Sequence, residues 1–152
     1  MGRGRQRSLR SAKSRTSPVT KARRSPGSVT ARTLEKIVDA FNRHDVDEIL
    51  SYCADDVVWV MARGPHCYGR RYEGIAQMRD ALIQRFKAIP DGSWSDGANW
   101  VCGDKGVSEW TLRGTTVKGE KLELLGCDLW RFRGGKVIKK DTYWKYVQPD
   151  FA

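Results

Sequence analysis

Three long runs of alternating character, 107–116, 122–133 and 137–147, fill the C-terminal part of the chain, and the last two flank Gly134-Gly135. Paired glycines between two strand patterns are a hairpin signal. The segment therefore predicts an antiparallel meander, and one face of such a sheet needs covering. In the first run Ser108, Trp110 and Leu112 share one face, with Glu109, Thr111 and Arg113 on the other.

The cover lies upstream. Leu34, Ile37, Val38 and Phe41 follow the spacing of a helix with one apolar stripe, and Thr30 or Thr33 suits its cap. Val46, Ile49, Leu50 and Cys53 repeat that spacing in a second short helix, ending at Ala54-Asp55-Asp56. The paired acids resemble a catalytic carboxylate pair, but a polar turn between helix and strand accounts for them better. His44 sits where the first helix breaks and reads as structural. Residues 57–61 form a strand, followed by a loop from Arg63 to Tyr72. Ile75, Met78, Leu82, Phe86 and Ile89 make the stripe of a third, longer helix stopped by Pro90. Trp100 to Cys102 extends a strand that begins near Trp94. The expected fold is α+β, a cone-shaped curved antiparallel sheet packed on three helices, with a cavity between sheet and helices.

Charge divides the chain. Nine of the 28 Lys and Arg fall in residues 1–28, which hold no acid; the other 19 nearly balance the 18 Asp and Glu. Residues 1–29 are thus expected as a disordered basic tail, and 30–148 as one domain. The near-neutral domain argues against a nucleic-acid-binding face of its own. For the tail, three readings stay open: a solvated extension, a weak nucleic-acid or acidic-membrane contact, or an organelle transit signal. No apolar run is long enough to span a bilayer, and the expected location is the cytoplasm. None of Cys53, Cys67, Cys102 and Cys127 has CxxC spacing, so reduced thiols are expected. Cys53 and Cys127 lie in apolar patterns and read as small core residues. The two histidines sit in no ligand motif, so neither a metal nor a cofactor is expected.

The stretches AFNRHDVDEILSYCADDVVW, YEGIAQMRDAL and GCDLWRFRGGKVIKKDTYW resemble the SnoaL-like branch of the nuclear transport factor 2 (ketosteroid isomerase-like) superfamily. That superfamily includes polyketide cyclases, isomerases, dehydratases, epoxide hydrolases and non-catalytic binding domains, so the resemblance implies a fold more than a reaction. In the ketosteroid isomerases an acid that donates to the developing oxyanion precedes an xxRF run, and it matches Asp128 in CDLWRF. Their general-base Asp falls on Met61 and their oxyanion-hole Tyr near Ile37, so the resemblance does not imply a true ketosteroid isomerase.

With Asp128 inward, alternation turns Trp130 and Phe132 inward too. The resemblance places Trp59 and Met61 on the facing wall, Trp110 and Leu112 between, and Lys140, Thr142 and Trp144 inside on the last strand. Phe86 completes the expected lining. Asp128 and Lys140 are read either as an ion pair that only organises the cavity, or as an acid/base beside a Lys140 or Tyr143 that polarises a substrate oxygen. His66, at the expected mouth, is an acid/base candidate or an exposed loop residue. Arg63, Arg70 and Arg71 attract an anionic substrate or form an ordinary rim with Glu73.

The functions implied are therefore a Trp-lined, cofactor-free site for a small apolar organic molecule, of cyclase, isomerase, dehydratase or hydrolase type, or a non-catalytic ligand-binding or dimerisation module. Relatives pair through the outer sheet face, so a homodimer through Leu129, Val137 and Tyr143 is expected by resemblance.

Overall fold

The computed structural model describes residues 28–146. The expected tail, apart from Ser28 and Val29, and residues 147–148 of the expected domain lie outside the described residues.

Helix α1, Ala31–Asn42, starts at a reciprocal cap. The Thr33 N–H donates to the Thr30 hydroxyl at 3.3 Å, and the Thr30 N–H to the Thr33 hydroxyl at 3.2 Å. Its stripe buries Leu34, Ile37, Ala40 and Phe41. At its end His44 adopts φ 55°, stacks on Phe86 and pairs through Nε2 with the Gly92 carbonyl at 3.2 Å. Helix α2, Val46–Ser51, is capped by Asp45, whose carboxylate accepts from the Glu48 N–H at 2.9 Å. Helix α3, Gly74–Ala88, buries Met78, Ala81, Leu82 and Phe86.

Among the described residues, seven strands form one curved sheet. They are β1 (Cys53–Val60), β2 (Arg71–Glu73), β3 (Ser93–Ser95), β4 (Asn99–Cys102), β5 (Lys105–Thr115), β6 (Lys121–Arg133) and β7 (Lys136–Trp144). Their order is β2-β1-β7-β6-β5-β3, with β4 also paired to β5. Gly134 and Gly135 turn the β6–β7 hairpin at φ 57° and 80°, the positive angles a two-residue turn of this hand requires.

Four expectations are corrected. The sheet is mixed, because β1 runs parallel to β7. No tight turn joins those two strands, so nothing imposes the antiparallel sense. Asp55 and Asp56 lie exposed within β1 rather than in a turn, and the carboxylate of Asp56 pairs with Arg133 at 2.6 Å. The strand expected from Trp94 to Cys102 is two short strands, broken where Asp96 takes φ 53°. Val137 points inward, at 2% exposure, not onto the outer face. Arg131 pairs with Lys139 but Phe132 pairs with Val137, so Ile138 is an extra residue in β7. That bulge lets Val137 and Lys140, three apart, share the inner face. Leu125, Leu129 and Tyr143 remain exposed on the outer face.

The inner face and the helices enclose a main core around Leu34, Ile49, Val57, Met78 and Leu82, with a smaller cluster of Ile89, Trp110 and Leu112 beside it. Among the described residues no helix is long and apolar enough to cross a membrane. Cys53 lies in this core, and burial pushes its thiol up to about 12, whereas Cys67 and Cys102 are exposed. Iodoacetamide at about pH 8 is expected to label Cys67 and Cys102 in the native protein and to spare Cys53 until denaturation. Peptide mass spectrometry checks this; native labelling of Cys53 at the rate of the exposed thiols contradicts its burial.

Candidate functional site

Register across β1, β7, β6 and β5 assembles the site in three rungs on the inner face. Trp59, Lys140, Trp130 and Gly106 form the first, and Thr142, Asp128 and Ser108 the second. The third is Trp144, Gly126 and Trp110. A side chain on Gly126 would sit 2.4 Å from the Trp110 ring, so only glycine lets that indole lie across the sheet.

The rungs bring their polar groups into one network. Asp128 Oδ1 accepts from Lys140 Nζ at 2.5 Å and from Thr142 Oγ1 at 2.7 Å. Its Oδ2 accepts from Trp110 Nε1 at 3.0 Å. The Thr142 oxygen in turn accepts from Lys140 Nζ at 2.8 Å and from Trp59 Nε1 at 3.3 Å. Trp130 Nε1 donates to Ser108 Oγ at 2.9 Å. Asp128 is 5% exposed and Lys140 4%. Two protons of the ammonium are engaged; around it lie the rings of Trp59 at 5.0 Å and of Phe41 and Trp130 at 5.5 Å. Such rings attract a cation and partly replace its lost hydration.

Burial pulls the Lys140 ammonium below the ordinary lysine range, and the Asp128 carboxylate opposes this. Deprotonation of Lys140 should therefore precede that of the surface lysines as pH rises. In Asp128→Asn the opposing charge is gone, so its midpoint should fall further. Carbon-13 NMR of the lysine Cε groups reads both; a Lys140 midpoint among those of the exposed lysines contradicts the burial argument.

Arg85 also lines the site, a position the sequence reading missed. It makes no ion pair among the described residues, and its Cζ lies 5.9 Å from the Trp144 ring centre. Burial, then the nearby Arg63 charge, push its guanidinium down. The signal was present: Met78, Leu82, Arg85 and Ile89 are spaced as one helical stripe, so a cation sat in an apolar row.

The enclosed cavity between these groups measures about 20 Å³, room for a single water-sized group. Phe41, Trp59, Trp94, Trp110, Trp130 and Trp144 close on it. The hollow expected to hold a whole organic molecule is thus largely filled by its own indoles. A wider groove of about 800 Å³ adjoins it and shares Met61, Thr142 and Trp144 as walls.

The structure brings Asp128, Lys140, Trp59, Met61, Trp110, Trp130 and Trp144 together around the cavity. Phe86 is not among them; it packs beneath, against Phe41, Trp94 and His44. Tyr143 points outward, 53% exposed, because it alternates with Thr142. His66 lies exposed in the outer groove, away from Asp128. Arg71 pairs with Glu73, whereas Arg63 lies over Trp144 at 5.4 Å.

No curated protein matches the chain. Among solved structures, a proposed polyketide cyclase from Pseudomonas putida KT2440 superposes with TM-score 0.68 at 20% identity, covering 82% of this chain and 96% of that one. A nuclear transport factor 2-like protein of unknown function from Burkholderia pseudomallei K96243 superposes with TM-score 0.66 at 25% identity, covering 75% and 88%. TerC, co-crystallised with polyporic acid, gives TM-score 0.66 at 23% identity, covering 80% and 92%. The SnoaL-like domain family model matches residues 34–140, from within α1 to Lys140 in β7, and the chain belongs to that family.

Proposed function

We propose that this domain binds a small organic carbonyl compound and stabilises negative charge on its oxygen without a cofactor, in chemistry of the cyclase or isomerase kind. The observation that carries the reading is the position of Lys140. It is buried, oriented by Asp128 and Thr142, and left with one N–H beside a cavity large enough for one oxygen atom. The guest's oxygen enters that cavity, and its carbon skeleton extends past Met61 and Trp144 into the outer groove. As the carbonyl becomes an enolate, the ammonium gives its remaining N–H to the oxygen, in surroundings where water competes little. Asp128, its lone pairs engaged by three donors, acts as the fixed counter-charge and positioning residue rather than as the base. His66, which lines the groove, is the base candidate. The TerC complex with polyporic acid is a precedent for an organic guest on this fold.

The test is NMR-detected deuterium uptake next to the carbonyl of indanone and β-tetralone. Wild type is expected to accelerate uptake over buffer, Lys140→Met to lose at least about tenfold of that acceleration, and His66→Gln to lose part of it. Uptake at the buffer rate with wild type overturns the catalytic reading. The engagement of both Asp128 oxygens favours the second reading, a binding module without turnover; tryptophan quenching by the same ketones with no uptake supports that instead.

A further inference from the structure

Resting on that reading, we infer that the site selects a guest carrying a delocalised oxyanion, a carboxylate or an ionised enol or phenol, held by Arg63 and Arg85 at the Trp144 end of the groove. Charge is the first argument. Three charged side chains line the inner cavity, and Arg85 and Lys140 outnumber Asp128. Asp128 is committed to Lys140, Thr142 and Trp110 and acts on Arg85 only at a distance, so among the described residues no carboxylate pairs directly with the Arg85 guanidinium.

Geometry is the second. The guanidinium carbons of Arg63 and Arg85 lie 5.4 and 5.9 Å from the centre of one indole, Trp144. Two like charges drawn to one ring repel each other, and Arg63 does depress Arg85. Neither has a carboxylate partner among the described residues. Arg43, Arg79, Arg113 and Arg133 pair with acids; Arg32, Arg70 and Arg131 also lack an acid partner among the described residues, but unlike Arg85 they do not line the inner cavity. Placing an unpaired cation on the apolar stripe of α3 is costly, and a bound anion removes that cost. Guanidinium forks match planar oxyanions, and the indole supplies a flat wall for the attached ring.

The third is access. Arg63 and Trp144 face the outer groove, while Arg85 and Trp144 line the inner cavity. An anion between the arginines thus sits at the junction through which the guest passes.

Calorimetric titration of the full chain with naphthoate and with naphthamide, its neutral counterpart, tests this. Wild type is expected to bind naphthoate at least about tenfold more tightly than the amide. Arg85→Gln should bring that ratio close to one, and Arg63→Gln, on an exposed loop, should reduce it without abolishing it. Amide and acid binding equally to wild type overturns this inference and leaves the proposed function standing. A preference for naphthoate that survives both replacements together also overturns it, since other cations then supply it. If neither probe binds, the organic-guest reading itself falls.

Discussion

Asp128→Ala is expected to destabilise the fold by about 3–5 kcal/mol, because it strands the Lys140 ammonium in a site with almost no water. The alanine also removes the acceptor for Trp110 Nε1 and for the Thr142 hydroxyl. Lys140→Met strands the carboxylate instead and should cost a similar amount. The double replacement Asp128→Leu/Lys140→Met removes both charges, and buried pairs exchanged for apolar side chains of similar volume are often neutral in stability. It should therefore recover much of the loss, and the free energies of the two single variants should not add. Urea unfolding followed by far-ultraviolet dichroism reads all three. A loss under about 1 kcal/mol for Asp128→Ala means that solvent reaches the pair, as for a surface ion pair.

Trp130→Ala should cost about 3–5 kcal/mol as well, by a different route. The indole is 3% exposed, it packs against Lys140, and it donates the hydrogen bond that satisfies the buried Ser108 hydroxyl. Its loss enlarges a cavity that now measures about 20 Å³ by nearly the volume of an indole. Free indole should then refill the space. At about a hundredfold over its dissociation constant it returns about 2.7 kcal/mol, read as a rise in Tm that wild type does not show. A variant that melts like wild type and ignores indole means that Trp130 is not a wall of the site.

The helices were legible because their stripes are local: Leu34, Ile37 and Phe41 in α1, and Met78, Leu82 and Phe86 in α3, are buried as their spacing requires. The β6–β7 hairpin was legible for the same reason, through Gly134-Gly135. Asp128 and Lys140 could be placed on one face by alternation, yet that placement rested on register. The bulge at Ile138 turned Val137 inward where the outer face had been expected, and no residue type there announces it. The parallel pairing of β1 with β7 involves strands far apart in sequence, with no turn to read. The size of the cavity was not legible at all. It depends on how Trp110 folds over Gly126 and how six rings meet, which are facts of packing rather than pattern. Arg85 was overlooked because a helical arginine reads as surface, although its row was apolar.

Deuterium uptake by indanone in the presence of Asp128→Leu/Lys140→Met shows whether the Lys140 ammonium stabilises the enolate, because this variant separates the pair's chemistry from its part in stability. The expected result is a cooperatively folded protein whose uptake falls to the buffer rate while wild type exceeds it. Uptake at the wild-type rate from the folded double variant would contradict it.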